Sequence, residues 1–426
     1  MRIMDVVVEG NCYLSGRFER CCLGIEEGRI VRIAKILDAD KVYRFENKVI
    51  LPAAIDAHVH FRDPGMTNKE DFNTGSLAAI HGGVTCVLDM PNTNPPTLTP
   101  ASLREKRNIA LSKSWCDFGL FAGVRPGIDV QGLAKEAVGF KLYMAGTTGD
   151  LLVPGLDQVK QELEGIKASQ KVLAVHAEDE RLRRREPEDS LDDHLRNRNN
   201  DCETSAIRKI LDAAGEMRLH ICHVSARESI PIIDERSGVT SEVTPHHLLL
   251  DKDTKLGALG KVNPPLRKRE DRQALFMALK AGKFDIIASD HAPHTIDEKQ
   301  EDFEYAPSGM PGTETMVPLM LSLVSEKNFS IEDVVSHISQ RPGEIYGIRK
   351  GRITEGYDAD LMVVDMSSST VIDSDRLNSK CGWSAFEGMP AIFPKVVFLR
   401  GEVMMEDGTM VGERAGRDVL GEQKPE

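Results

Sequence analysis

The chain has 426 residues, 41% of them hydrophobic and 28% charged, enough for one large core and a smaller one. A formal net charge of -13 excludes a broad nucleic-acid or acidic-membrane surface, so an anionic ligand has to be met by a local cluster of positive charge. The eight cysteines form no CxxC pair and read as reduced, mainly structural thiols. The start lacks a basic region followed by an apolar run, and no stretch approaches the roughly 20 apolar residues that span a bilayer, which predicts a cytoplasmic protein with no membrane partner.

Residues 1–50 alternate short apolar runs with turns ("MDVVVEGN", "CCLGIEEGRIVRIAKI", "KVYRFENKVI"), the punctuation of small antiparallel strands. Residues 51–355 change character. Short Val/Ile/Leu-rich runs recur, in order "ILPAAIDAHVHF", "GVTCVLDM", "DFGLFAGV", "VGFKLYM", "KVLAVHAE", "RLHICHVS", "VTSEVTPHH" and "FDIIASDH". Helix-like segments such as "ASLREKRNIALSKSW", "LDQVKQELEGIKASQ" and "REDRQALFMALKAG" separate several of them. Eight such strands predict a (β/α)8 barrel of the TIM type. Residues 356–426 return to turn-punctuated strands, so the two chain ends are expected to meet as one small β-sandwich domain. One stretch departs from the pattern: 179–205, "DERLRRREPEDSLDDHLRNRNNDCETS", reads as a solvated insertion, with a cover over the barrel mouth as the alternative.

In "DAHVHFRDPG", residues 56–65, strand alternation puts Asp56, His58, His60 and Arg62 on the face looking into the barrel, and Ile55, Ala57, Val59 and Phe61 on the other. Two imidazoles one residue apart on a strand can reach one cation together. Lys141 in "GFKLYM", His176 in "LAVHAED", His223 in "HICHVS" and Asp290 in "IIASDHAPH" bring further ligand-type residues to the C-terminal strand ends, where barrel enzymes place their chemistry. That convergence predicts a metal site. Lys141 is the odd member, because metal cations repel an ammonium; a neutral amine captures carbon dioxide, and the resulting carbamate can bridge two metals.

The remaining histidines read differently. His220, on the opposite strand face from His223, is expected to pack toward the outer helices, and His81 to end a helix. Solvent or ordinary packing accounts for His194 and His337, and His291 points away from Asp290. One of His246 and His247 must face inward; ordinary packing is the first reading, and support behind the metal ligands the alternative.

Together "DAHVHFRDPG", "MPNTNPPT", "GFKLYM", "HAED", "HICHVS", "VTPHHL", "VNPPLR" and "ASDHAPH" resemble the dihydroorotases of the amidohydrolase superfamily, and the likeness continues to "GYDADLMVVD" and "GWSAFEGM". HxH and the later ligands mark the superfamily broadly. Arg62 before Asp-Pro-Gly, with Asn92 in "PNTNPPT", is similar to dihydroorotase in particular. Some dihydroorotases have Asp where the bridging lysine sits in others; this chain matches the lysine pattern.

The resemblance implies two Zn2+ per subunit: His58, His60 and Asp290 on the first, His176 and His223 on the second, with carboxylated Lys141 and a hydroxide between them. It implies Asp290 as general acid and base in the reversible cyclisation of N-carbamoyl-L-aspartate to dihydroorotate, a step of pyrimidine biosynthesis. Arg62, Asn92 and His294 are then expected on the substrate carboxylate, and Asn263, Ser308 and Gly309 near the ring. "AGTTGDLLVP" resembles a mobile loop in which Thr147 or Thr148 touches substrate, a plain Gly-rich turn being the alternative. Dihydropyrimidinase, hydantoinase and allantoinase share the metal centre but bind rings without a carboxylate at this position, so Arg62 discriminates. A non-catalytic assembly partner is expected to have lost ligands, whereas the matching positions are all filled here. Homo-oligomerisation and association with other pyrimidine enzymes stay open.

Overall fold

A computed structural model describes residues 4–421. The chain opens with β1 (Met4–Leu14), β2 (Arg17–Glu26), β3 (Arg29–Ala34) and β4 (Ala39–Pro52). The turn joining β1 to β2 is Ser15-Gly16, with φ of 47° and 88°, and that joining β2 to β3 is Glu27-Gly28, with φ of 49° and 79°. Two consecutive left-handed residues give the turn twist that matches a right-twisted hairpin, and glycine at the second position removes half of its steric cost.

Eight parallel strands follow in sequential order: β5 (Ala54–Val59), β6 (Val84–Asp89), β7 (Asp117–Gly123), β8 (Gly139–Tyr143), β9 (Val172–His176), β10 (Leu219–Ile221), β11 (Thr240–Val243) and β12 (Ile286–Ile287). Closure comes just beyond β12, where His291 bridges in parallel to Val59 and accepts a 2.8 Å hydrogen bond from the His60 amide. The run "ILPAAIDAHVHF" is divided: Ile50 to Pro52 end β4, and only Ala54 onward enters the barrel. The last barrel strand is short because the chain turns at Asp290, whose φ is 47°.

After the barrel come β13 (Leu361–Val364), β14 (Thr370–Val371), β15 (Pro390–Ala391), β16 (Val396–Leu399), β17 (Glu402–Glu406) and β18 (Thr409–Met410). The chain ends join in one continuous eight-stranded sheet, β18-β17-β16-β13-β4-β1-β2-β3, in which β13 lies antiparallel to β4 with Met362 opposite Leu51. β14 and β15 form a separate two-stranded ribbon.

The helix Pro100–Lys113 shows why the intervening segments are helical. Thr99 caps it by accepting from the Ser102 amide, Ser102 reciprocates, and proline occupies the first position, where no amide is needed. Such a cap contributes about 1 kcal/mol. Its buried side is Leu103, Lys106 and Ala110; Lys106 reaches under the barrel wall to Asp89 at 2.5 Å and the Met90 carbonyl at 2.6 Å.

The barrel interior divides in two. Its lower half is apolar, filled by Ile55, Ala57, Cys86, Leu88, Phe121, Ala174 and Ala288 and plugged by Ile345 and Tyr346. Burying a side chain such as Phe121 contributes about 1.5–3 kcal/mol. At the base, Lys350 Nζ lies 2.6 Å from Asp117, 2.7 Å from Asp358 and 2.8 Å from Asp360, tying the start of β7 to the segment that enters β13. The upper half is polar.

Candidate metal centre and substrate pocket

A β-bulge creates the site's first wall. Between Asp56 and Val59, β5 spends three residues where β6 spends two, Val87 to Asp89, so the two-residue alternation slips by one. Ile55 and Ala57 therefore face the apolar interior, and yet His58 and His60 also face inward, one layer higher, while Val59 and Phe61 pack against the outer helices. The expectation that Ile55 and Ala57 lie outside is corrected by this slip. Asp56, expected to face the pocket, is instead committed below it to the Ser289 amide and hydroxyl, at 3.0 and 2.5 Å.

Three residues at the mouth hold left-handed backbone: Arg62 (φ 60°), His223 (φ 35°) and Asp290 (φ 47°). None is glycine, so each stores strain of order 1 kcal/mol or more, and each aims its side chain into one cavity. For His223 the turn has a second consequence. Both it and His220 point into the barrel, and His220, expected among the outer helices, donates from Nε2 to Glu242 Oε2 (3.1 Å) beneath the site.

The cavity, about 40 Å³, is lined by His58, His60, Arg62, Asn92, Lys141, Tyr143, Thr147, Thr148, His176, His223, Asn263, Asp290, Ala292, Ser308 and Gly309. His294 stands behind it, its Nε2 3.3 Å from Arg62 Nη2 and 3.1 Å from the Ser308 carbonyl. Gly309 is obligatory: with φ of 141°, an added Cβ would sit 2.3 Å from the Ala292 carbonyl oxygen.

The donor atoms converge. Asp290 Oδ1 lies 3.1 Å from His60 Nε2 and 3.4 Å from His58 Nε2, and Lys141 Nζ is 3.3 Å from His58 Nε2. His176 Nδ1 faces His223 Nε2 at 3.1 Å. Three of the four imidazoles have the far nitrogen fixed: His58 Nδ1 by Glu242 Oε1 (2.5 Å), His60 Nδ1 by Asn92 Oδ1 (2.6 Å) and His176 Nε2 by Glu178 Oε2 (2.8 Å). An acceptor on the far nitrogen fixes the tautomer and leaves the near one a lone pair, which is how metal-ligating histidines are held. His223 Nδ1 is buried without a partner.

Electrostatics agree with a cation site. Burial pushes His60 down to about 3 despite Asp290, and pushes His176 and His223 down as well, so these rings are neutral donors. At His58, burial and Lys141 also press downward, but Glu242 and Asp290 prevail and raise it to about 10. The potential there is strongly negative, the field a divalent cation would meet. Burial alone would raise Asp290; His58 and His60 hold it well below the carboxylate range.

Other expected residues are placed as follows. Asn92 Nδ2 donates to the Thr148 carbonyl at 3.0 Å, so its amide joins the Thr147-Thr148 loop to His60. Asn263 Oδ1 is 3.0 Å from His194 Nε2. His194 is buried and also bound to Glu188, not solvated. Segment 179–205 is therefore not simply a solvated insertion: Arg198 donates to the Gly146 carbonyl at 2.5 Å, and His194 holds Asn263, so it packs beside the mouth. His246 is buried with Nε2 unpartnered, while His247 is satisfied by Thr244 and the Pro264 carbonyl. His81 ends its helix before Gly82, and His337 packs onto the Asp285 carbonyl. His291 accepts from the Gly312 amide, away from Asp290.

Sequence reasoning missed Glu242, Glu178 and Cys222. Cys222, packed in the apolar lower barrel, has its Sγ 2.9 Å from Lys141 Nζ, and one candidate ligand group is His58, Cys222 and Glu242. For Glu242 a signal existed: it is the lone carboxylate in an otherwise uncharged strand, "TSEV".

Comparison with known proteins assigns this arrangement. The profile described as "Amidohydrolase family" matches residues 49–404. This chain belongs to the amidohydrolase family. A curated dihydroorotase of Thermoplasma volcanium is 40% identical to this amidohydrolase over 425 residues, covering 98% of each chain. One of Pyrococcus furiosus is 36% identical over 429 residues, covering 98% of this chain and 96% of the other. Among solved structures, an L-hydantoinase (dihydropyrimidinase) from Arthrobacter aurescens superposes with a TM-score of 0.92 at 28% identity, covering 98% of this amidohydrolase and 100% of that chain.

Proposed function

We propose that this amidohydrolase is a dihydroorotase, interconverting N-carbamoyl-L-aspartate with dihydroorotate plus water. The observation that carries it is Arg62. Arg62 lines the pocket, its guanidinium is buried, its Nε is spent on the Pro293 carbonyl, and its Nη1 has no partner. A buried, orphaned guanidinium donor calls for a carboxylate, and the dihydroorotate ring carries one that never reacts. Hydantoin and dihydrouracil rings do not, so the likeness to an L-hydantoinase is taken here as a likeness of fold.

The donor set suits two divalent cations, taken here as zinc: four imidazoles, three of them with the far nitrogen fixed, one carboxylate, and a lysine able to become a carbamate. His58, His60 and Asp290 would hold one, His176 and His223 the other, with carboxylated Lys141 between. When bound, such ions lower the pKa of water and polarise a carbonyl.

The chain's own groups do the rest. Arg62 orients the ring by its carboxylate, with Asn263 and the Ser308-Gly309 backbone along its edge. Asp290 starts as a carboxylate, held ionised by His58 and His60. In ring opening it takes the proton of the attacking water and delivers it to the departing ring nitrogen as the C–N bond breaks. In ring closure the carbamoyl nitrogen attacks the carbon of the side-chain carboxyl group in its protonated form, Asp290 carries the proton from nitrogen to the departing hydroxyl, and water leaves. Among the described residues no helix is long and apolar enough to cross a membrane, consistent with a cytoplasmic enzyme acting on small soluble substrates.

Assay of dihydroorotate, hydantoin and allantoin tests the reading, with Arg62→Ala alongside. Turnover of dihydroorotate that collapses in Arg62→Ala is expected; an inert dihydroorotate, or turnover indifferent to the substitution, overturns it.

A further inference from the structure

Lys69 approaches the pocket from behind. It lies in the loop between β5 and the helix Phe72–His81, with Nζ 3.0 Å from His294 Nδ1 and 2.8 Å from Glu298 Oε1. An ammonium has only hydrogens to give, so the imidazole nitrogen facing it carries a lone pair. The other nitrogen, Nε2, lies 3.1 Å from the Ser308 carbonyl, which has only lone pairs, so Nε2 carries the hydrogen. Two separate partners select the same tautomer. Nε2–H and Arg62 Nη2, 3.3 Å apart, are then both donors. They cannot bond to each other, and an acceptor-rich group such as a carboxylate set beside them is met by Nη2 and shares the Nε2–H that otherwise rests on the Ser308 carbonyl.

Resting on the dihydroorotase reading for the identity of that carboxylate, we propose that Lys69 is a positioning residue: by occupying His294 Nδ1 and Glu298 together, it holds His294 as the Nε2–H tautomer that donates, with Arg62, to the substrate carboxylate. The alternative is close at hand. Glu298 Oε2 is 3.7 Å from His294 Nδ1. Without the ammonium, this carboxylate draws the ring hydrogen to Nδ1, because a charge-assisted bond outweighs one to the neutral Ser308 carbonyl. Nε2 then becomes a lone pair that repels the substrate carboxylate and captures Arg62 Nη2. Burial, aided by Arg62 and Lys69 against the pull of Glu298, pushes His294 down to about 3, so the ring stays neutral and the tautomer is the variable that matters.

The test is 15N NMR of metal-loaded enzyme labelled at histidine, at pH 8, with the His294 signals assigned by their loss in His294→Gln. Wild type is expected to show a pyridine-like Nδ1 and a pyrrole-like Nε2. Lys69→Met is expected to reverse them and to raise KM for dihydroorotate about tenfold, the scale of one hydrogen bond to a charged group, with kcat changing far less. Lys69→Arg, and Lys69→Met combined with Glu298→Gln, should restore both the tautomer and KM. A wild-type His294 carrying its hydrogen on Nδ1, a Lys69→Met protein with unchanged tautomer, or a double variant that restores neither would overturn the proposal. The NMR result is read without substrate, so wild-type enzyme that ignores dihydroorotate would sink the functional reading while the spectra still decide the role of Lys69.

Discussion

Replacing Glu242 by Gln isolates the support beneath the metal centre. Its Oε1 serves His58 Nδ1 and the His223 amide, and its Oε2 serves His220 Nε2. Glutamine keeps the shape but offers one oxygen and one NH2 group. The cheaper orientation leaves the oxygen at His58 and His223 and turns the amide toward His220, whose other nitrogen meets the Thr240 hydroxyl and can exchange tautomer. What is lost is the charge on the acceptor of His58. A bond to a charged group contributes about 1.5–3 kcal/mol and a neutral one about 0.5–1.5, so the change costs roughly 1–1.5 kcal/mol. That corresponds to about a tenfold loss of metal affinity, at the lower edge of the range for such outer partners. Competition against a chelator, following bound metal at equilibrium, measures it, with circular dichroism as the control for folding. Affinity unchanged within experimental error would refute the claim that Glu242 orients His58 through its charge. Loss of metal only with loss of the fold would show that its role is packing.

Lys350→Met should lower stability by about 3–5 kcal/mol in denaturant titration, since it leaves Asp117, Asp358 and Asp360 buried together without their cation, relieved only in part by Arg400 at Asp117; a shift below 1 kcal/mol would mean that the carboxylates protonate or hydrate freely. Burial, with Glu70 adding to it, raises Glu314 to about 7 against the donors of Asn378. A raised acid binds its proton in the folded state where the unfolded chain has lost it. Stability is therefore expected to fall as pH rises from about 4.5 to 7, and Glu314→Gln to flatten that slope in thermal melts. Enzyme stripped by chelator and refilled with zinc should regain metal and activity faster with added bicarbonate than in carbon-dioxide-free buffer, because the proposed bridge requires Lys141 to take up a carboxyl group; equal recovery would argue for a single metal. In Cys222→Ala, Lys141 Nζ loses its 2.9 Å sulfur partner, and recovery should slow further.

Much of this protein was legible from residues alone because strand periodicity is a local property. Alternation and turn residues located the eight barrel strands and the strands of the small sheet. Strand alternation and position put His58, His60, Arg62, Lys141, His176, His223 and Asp290 at the strand ends that line the cavity, and the likeness of short motifs to dihydroorotases supplied the roles expected of them. The same local rule failed where the tertiary structure resets it. The bulge at Ala57 and His58 lets both neighbours face inward, and the left-handed turn at His223 does the same for His220. Neither irregularity has a glycine to announce it, since the barrel's packing, not local preference, holds the strain.

Partnerships across the chain were likewise beyond the sequence. Glu242 and His58 are 184 positions apart, and Lys69 and His294 are 225 apart. Which far nitrogen meets which carboxylate depends on how neighbouring strands and loops register at the barrel mouth, and only the closed barrel sets that register. Composition and periodicity determined that a barrel would form and where its chemistry would lie; the fold alone decided how each imidazole is turned, because a ring's tautomer answers to whatever it touches in space.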